Sequence, residues 1–233
     1  MQIFTLLLLL LTGIFSKPAL ADEGVEVWVH HQGPQQSEVH LNRHHERSRS
    51  ATVKVISQFG HGTGTYVKID GSYGILTAAH VVDTGVHYII KAGLHQSIAT
   101  LVWKDEDADI AFLVTEKIDQ LNALRMVSAD VDEGDQLIYS GFPSSHQMLT
   151  FSCSVANANY NGMLATQCWA WFGSSGSGFI NRRGKVFAVL SAVSVENFYG
   201  HPQVLETLVY GAPIRPHMLV QIRSAINTWN ENN

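Results

Sequence analysis

The chain has 233 residues and a formal net charge of −5 at pH 7, from 15 Lys and Arg against 20 Asp and Glu. This mild acidity, without a basic run or a basic face carrying aromatic residues, predicts no nucleic-acid partner. After the amino terminus no apolar run is long enough to cross a bilayer. The length is sufficient for one or two folded units that share a cleft.

Residues 1–21 have the pattern of a secretory signal peptide. An apolar core runs from residue 3 to residue 15, and the small residues of Ala19-Leu20-Ala21 follow it. Cleavage there would give a secreted or periplasmic protein without a membrane association. The basic residues that usually precede the core are missing, so an uncleaved membrane anchor is the alternative.

Residues 22–50 are polar and include five histidines, and only Val25 to Val29 alternates as a strand would. We therefore predict a largely irregular arm or propeptide. The histidine spacings match no ligand motif, so the sequence predicts neither a metal site nor a cofactor.

From residue 51 onward, short apolar or alternating runs are separated by Gly and Asp, which is typical of strands. The first six runs are Thr52–Ile56, Thr63–Ile69, Ile75–Ala78, Tyr88–Ile90, Ile98–Trp103 and Ile110–Val114. The second six are Gln136–Ser140, Met148–Val155, Met163–Trp169, Gly178–Ile180, Val186–Val193 and Leu205–Tyr210. Without long helical patterns between them, two similar sets predict an all-β protein of two small barrels, over 51–117 and 133–214.

The carboxyl-terminal segment has a different period. Leu219, Ile222, Ile226 and Trp229 are three or four residues apart and follow Pro216. This spacing predicts a helix over 215–230, which we expect to pack on the second barrel.

The chain contains two cysteines, Cys153 and Cys168. In an exported protein such a pair predicts one disulfide, with two free buried thiols as the alternative. If residues 159–162 form a four-residue hairpin loop, the register places Cys153 opposite Cys168. The bond would then join two adjacent antiparallel strands just before Ser175.

A histidine, an acid and a serine occur in a chemically meaningful order. Hydrolysis of an amide needs a nucleophile, a base that takes its proton, and an acid that orients this base. His80, Asp109 and Ser175 could fill these roles, and the order His, Asp, Ser differs from that of subtilisin-like enzymes and of α/β-hydrolases. An α/β-hydrolase would also need glycine at position 177, where this chain has Ser177.

Three segments resemble the signature motifs of trypsin-like serine proteases: Thr77-Ala78-Ala79-His80, Asp109-Ile110-Ala111 and Gly173 to Gly178. The spacings of 29 residues (109 − 80) and 66 residues (175 − 109) are compact, as in bacterial Deg-type and V8-like catalytic domains. The resemblance covers roughly residues 51–215. It implies a peptidase domain over 51–233, with two six-stranded antiparallel Greek-key β-barrels and the active site in the cleft between them.

Each motif also has an ordinary interpretation when it is taken alone. The glycine-rich segment could be a linker, His80 a histidine at a strand end, and Asp109 the cap of a turn. Their joint occurrence favours a serine endopeptidase. The alternative is a catalytically silent protease-fold module that binds extended peptides.

By this resemblance the backbone N–H groups of Gly173 and Ser175 form the oxyanion hole. Ser191, Ala192 and Val193 occupy the place of the strand that pairs with the substrate, and Ser191 is expected to contact Asp109.

The same resemblance places Trp169 at the floor of the primary pocket; the alternative is a core tryptophan packed beneath the loop that carries Ser175. An uncharged floor, with Val193 at the entrance, predicts cleavage after small or medium aliphatic residues of a protein or peptide substrate. The peptide-binding module that Deg-type proteases often carry after the catalytic region is not seen, so we expect a monomer.

Overall fold

Twelve strands and two helices make up the part of the chain that the computed structural model describes, which is residues 43–58, 60–82, 85–144 and 146–232. The expected signal peptide (1–21) and residues 22–42 of the expected arm lie outside the described residues.

The last part of the arm forms a helix, α1 (Arg43–Arg49), where a largely irregular segment was expected. This helix is held against the second barrel, because the Arg49 guanidinium donates hydrogen bonds to the Met148 carbonyl at 3.3 Å and to the Thr150 hydroxyl at 3.1 Å. These tertiary contacts supply the stability that so short a helix lacks alone.

The first six strands close into an antiparallel barrel in the order β1-β2-β3-β6-β5-β4. Their bounds are β1 Thr52–Ser57, β2 Gly60–Ile69, β3 Ser72–Thr77, β4 His87–Ala92, β5 His95–Asp105 and β6 Ile110–Thr115. Pairing of β1 with β4 completes the ring. Closure leaves no unpaired sheet edge at this join.

The next six strands form a second closed antiparallel barrel in the order β10-β11-β12-β9-β8-β7. Their bounds are β7 Gln136–Gly141, β8 Leu149–Tyr160, β9 Met163–Gln167, β10 Gly178–Ile180, β11 Val186–Phe198 and β12 His201–Pro213. The prediction of an all-β fold with two six-stranded barrels and a terminal helix is confirmed. The barrels share apolar core, since Ile180, Val189 and Ala212 of the second belong to the same buried cluster as the first.

The disulfide between Cys153 and Cys168 is present, with its Cα atoms 4.7 Å apart. The register predicted for these two strands, with Cys153 opposite Cys168, is confirmed by the next pair, in which Ser154 faces Gln167. The four-residue loop is wrong, however, because Tyr160 faces Met163 across a two-residue turn of Asn161 and Gly162, both with positive φ. Irregularities in β8 restore the register between this turn and the cystine.

The terminal helix α2 (Pro216–Asn232) packs on the first barrel, not on the second as expected. Its buried Met218, Ile222 and Ile226 join the core cluster against which Leu101 and Trp103 of β5 pack. Arg223 Nε also lies 2.9 Å from Asp70 Oδ2 of the first barrel. The apolar face of β5 gives the helix its partner, which the period of the helix alone could not reveal. Within the described ranges neither helix is long and apolar enough to cross a membrane.

Candidate active site

His80 and Asp109 meet at one end of the first barrel. His80 lies in a single 3-10 turn, Ala79–Val81, directly after β3, and Asp109 ends the turn that joins β5 to β6. His80 Nδ1 is 2.9 Å from both carboxylate oxygens of Asp109, and the His80 backbone N–H donates to Oδ1 at 3.0 Å. Because β3 and β6 are neighbours in the barrel, residues 29 positions apart in sequence come into contact here.

The Asp109 carboxylate is held from the second barrel as well, since the Ser191 hydroxyl donates to Oδ2. Burial raises the pKa of Asp109, but hydrogen bonding and the charge of His80, together with the bond from Ser191, bring the pKa below its usual value. A carboxylate can only accept a hydrogen bond, so the contact with Asp109 favours a proton on His80 Nδ1; in that tautomer of the imidazole Nε2 is the acceptor. The His80 side chain is 43% exposed, so the imidazole is open to solvent.

Ser175 lies in the loop between β9 and β10, and contacts with the first barrel fix this loop. The Thr63 N–H donates to the Ser175 carbonyl at 2.8 Å. A Cβ on Gly176 would lie 2.0 Å from the Thr63 carbonyl oxygen and 2.2 Å from Thr77 Oγ1, and Gly176 has φ +90°. Only glycine fits this approach. The loop therefore sits against the end of β3, three residues before His80.

The second barrel also contacts this loop, because the Gly176 N–H donates a hydrogen bond to the Leu190 carbonyl at 2.8 Å. Leu190 precedes Ser191, which contacts Asp109. A short series of contacts thus connects the loop that carries Ser175 with Asp109 and His80. Within the described residues the Ser175 hydroxyl makes no hydrogen bond, so the bond from Ser175 to His80 is not part of this structure.

Two backbone donors beside Ser175 have no acceptor among the described residues: the N–H groups of Gly173 and of Ser175 itself. Gly173 has φ +92°, a conformation that glycine adopts readily. The peptide group that carries the Gly173 N–H is held through the Phe172 carbonyl, which accepts a hydrogen bond from the Ser144 N–H at 2.5 Å. The next peptide group is held through the Gly173 carbonyl, which accepts from Thr63 Oγ1 at 2.7 Å. Two unclaimed donors of this kind can bind an oxyanion.

Sequence reasoning missed the side chains that brace this loop. Thr63 is fully buried, and its hydroxyl accepts from the Phe142 N–H at 3.1 Å while it donates to Gly173. His61 Nε2 donates to the Phe142 carbonyl at 3.0 Å and lies beside Gly173. A usable signal was the alternation of glycine with threonine over 62–65, because glycines in a strand interior often mark a close approach by another backbone.

The residues expected to bind substrate occupy β11 and the segment before residues 173–178, here called the nucleophile loop after the expected nucleophile Ser175. Ser191 and Val193 are half-buried, and Ala192 is exposed. Trp169 is half-buried, its ring centroid lies 5.3 Å from that of Phe151, and its carbonyl accepts from the Tyr139 hydroxyl at 2.5 Å. In the part of the chain that the structure describes, no cluster of three or more His, Cys, Asp or Glu side chains could hold a metal ion.

Comparison with known proteins agrees with this architecture. The family model of the trypsin-like peptidase domain matches residues 62–189, which is more than half of the 233 residues. A search of curated proteins finds no match.

Several solved structures have the same fold. The inactive form of Rv3671c from M. tuberculosis has a TM-score of 0.63 and 18% identity, over 84% of this chain and 96% of that chain. A serine endoprotease from Yersinia pestis has a TM-score of 0.63 and 20% identity, over 79% of this chain and 65% of that chain. The HtrA-type protease AlgW, solved with a decapeptide, has a TM-score of 0.63 and 15% identity, over 79% and 66%. At these identities the likeness shows the fold.

The family match spans the segment from His80 to Ser175. The two six-stranded barrels are those that the resemblance implied. The chain therefore belongs to the trypsin-like peptidase domain family and is a serine endopeptidase.

Proposed function

We propose that the protein cleaves peptide bonds with Ser175 as nucleophile, His80 as general base and Asp109 as the residue that orients His80. The observation that carries this proposal is the contact of His80 Nδ1 with both Asp109 oxygens at 2.9 Å. Contacts through Ser191 and Leu190 connect Asp109 with the loop that carries Ser175. The contact of His80 with Asp109 favours the tautomer in which Nε2 can accept a proton.

In the proposed reaction Ser175 Oγ bonds to the scissile carbonyl carbon as its proton passes to His80 Nε2. The tetrahedral intermediate then collapses, the C–N bond breaks, and the same proton passes from His80 to the leaving amine. A water molecule, deprotonated by His80, then bonds to the acyl carbon; the bond from this carbon to Ser175 Oγ breaks, and the proton passes from His80 back to Ser175 Oγ. The hydrogen bond from Ser175 to His80 would form as the substrate excludes water, since catalytic hydrogen bonds often tighten only in the complex.

The oxyanion of the intermediate would be bound by the N–H groups of Gly173 and Ser175. Their lack of another acceptor among the described residues supports this role. Donors that are already oriented need no reorganisation when charge develops, and one of them typically contributes on the order of 10²–10³ in turnover.

The substrate would bind as an extended strand along Ser191, Ala192 and Val193, with the residue before the cut directed toward Trp169. An uncharged pocket floor offers no partner for a basic side chain, and Val193 would narrow the entrance. We therefore propose cleavage after small or medium aliphatic residues. Efficient cleavage after Arg or Lys in a random peptide library would refute this specificity.

We also propose that the protein acts outside the cytoplasm as a monomer. The cystine between Cys153 and Cys168 supports this location, because structural disulfides persist in oxidising compartments. The signal pattern of residues 1–21 agrees with it.

The direct test is cleavage of a random decapeptide library by the wild-type protein, by Ser175→Ala and by Ser224→Ala. Ser224 is exposed on α2 and belongs to none of the proposed site residues, so its variant controls for the loss of a serine hydroxyl. We expect Ser224→Ala to retain full activity and Ser175→Ala to lose about 10⁴-fold or more. Undiminished cleavage by Ser175→Ala would overturn the proposal.

A further inference from the structure

Beyond the second barrel, β11 and β12 continue as a two-stranded ribbon formed by residues 194–205. Its pairs run from Ser194 opposite Leu205 to Phe198 opposite His201, and residues 199 and 200 form the turn. The register jumps at the base of the ribbon, so that residues 206–208 of β12 have no partner on β11. The ribbon therefore leaves the barrel at the point where the proposed substrate strand ends.

One edge of this ribbon is unpaired along β11. Within the described residues, no strand pairs with the edge of β11 opposite β12 beyond Leu190. At Leu190 that same edge holds the nucleophile loop, since the Leu190 N–H donates to Ser177 at 2.7 Å and the Leu190 carbonyl accepts from Gly176. The edge thus begins beside Ser175 and runs outward.

The turn at the tip fixes which residues face this free edge. Tyr199 and Gly200 have φ +52° and +85°, as in a type I′ turn, so Phe198 and His201 form a hydrogen-bonded pair. Alternate residues of a strand direct their backbone groups to opposite edges. Counting back from Phe198, Asn197, Val195 and Val193 direct their N–H and C=O groups to the free edge.

The base of the ribbon gives the same result. Leu190 faces Gly211 and Ala192 faces Tyr210, so Ser191 is one extra residue in β11. Such a bulge shifts by one residue the alternation in which backbone N–H and C=O groups point to the two edges of the strand. The backbone N–H and C=O groups of Val193 therefore point to the same edge as those of Leu190. The free edge is thus continuous from the nucleophile loop to the turn at residues 199 and 200.

We propose that this edge is an extended substrate site, in which the residues before the scissile bond add as a third strand of the ribbon. This inference rests on the proposed function. If Val193 pairs with the third residue before the cut, Val195 pairs with the fifth and Asn197 with the seventh. The ribbon lengthens the binding strand by four residues, or about 13 Å at ~3.3 Å per residue.

The side chains on the ribbon set a preference at these added positions. Val195 is 58% exposed, and its cross-strand partner Val204 is half-buried on the same face. An apolar fifth residue would cover both valines. The sixth residue would lie on the other face beside the exposed Glu196, which favours a basic side chain there.

The experiment uses one decapeptide selected from the random library, with seven residues before the cut, and the full-length protein. We expect kcat/KM to fall at least tenfold when the peptide is trimmed to three residues before the cut. N-methylation of the fifth residue, whose N–H would donate to Val195, should lower kcat/KM about five- to tenfold. N-methylation of the sixth residue, whose N–H points away from β11, is the matched control and should change kcat/KM less than twofold.

Cleavage that is independent of peptide length, or equal effects of the two methyl groups, would overturn the inference while leaving the proposed function intact. No cleavage of any peptide would refute the proposed function itself, and the extended site with it. A dimer in sedimentation that Val195→Pro abolishes would assign the edge to a second copy of the chain instead.

Discussion

The hydroxyl of Thr63 offers a sharp test of how the first barrel holds the nucleophile loop. Thr63→Val keeps the shape of the side chain but removes its hydrogen bonds to the Gly173 carbonyl (2.7 Å) and from the Phe142 N–H (3.1 Å). Thr63→Ser keeps the hydroxyl and loses only the methyl group. The comparison isolates the two hydrogen bonds.

The expected size of the effect follows from these contacts. Two hydrogen bonds are worth about 1 kcal/mol each, and leaving their partly buried partners unpaired adds roughly another 1 kcal/mol. A loss of about 3 kcal/mol lowers the melting temperature of a domain of this size by about 6–12 °C. Because the Gly173 carbonyl, which lies between the two proposed donors in the chain, would no longer be held, we expect about a 10- to 100-fold lower rate, less than the 10²–10³ typical for complete loss of an oxyanion donor.

The assay is the second-order rate of labelling by a fluorophosphonate, whose phosphoryl oxygen occupies the oxyanion site, together with calorimetric unfolding. Thr63→Ser should label within about threefold of the wild-type rate, since it retains the hydrogen bonds. If Thr63→Val labels as fast as Thr63→Ser, the brace between β2 and the nucleophile loop has no catalytic consequence and this reasoning fails.

Further predictions concern Asp109 and the cystine. Asp109→Asn should lower kcat about 10⁴-fold, because an amide cannot hold His80 in the required tautomer; a loss below tenfold in peptide cleavage would contradict the orienting role. The pKa of Asp109 lies below its usual value of 3.8, so on acidification the unfolded chain takes up this proton before the folded protein does, and the free energy of unfolding falls as the pH drops below that value. Asp109→Asn should weaken this pH dependence of the free energy of unfolding, measured by denaturant titration at several pH values. An unchanged pH dependence would refute the prediction. Replacing both Cys153 and Cys168 by Ala should cost about 3 kcal/mol and lower the melting temperature by about 6–12 °C; an unchanged midpoint would show that the bond adds no stability.

Much of the fold follows from local patterns in the sequence. Twelve alternating or apolar runs become twelve strands, because strands such as β4 bury one face and show a period of two, whereas β6 and β10 are buried on both faces and show continuous apolar runs. The strand β11 was predicted to end at Val193 but continues to Phe198. Polar Glu196 and Asn197 break the apolar pattern there, while pairing with β12 preserves the strand, and pairing is not visible in a local window.

Other features depend on contacts between distant elements. The four-residue loop at 159–162 was the assumption from which the register of Cys153 and Cys168 was derived, whereas Asn161-Gly162 is itself the strongest two-residue hairpin signal. The docking of α2 on β5 could not be inferred from the period of the helix, which states that one face is buried and not against what. Prediction of His80, Asp109 and Ser175 was possible because their flanking residues form recognisable motifs, whereas Thr63 and His61 have no such context.

The central claim, that His80 activates Ser175, is tested most directly by fluorophosphonate labelling of the wild-type protein, Ser175→Ala, His80→Ala and a heat-denatured sample, with the adduct located by mass spectrometry. The account predicts a single adduct on Ser175 of the folded wild-type protein and no labelling of the other three samples. Labelling of folded Ser175→Ala, or labelling of His80→Ala at the wild-type rate, would contradict it.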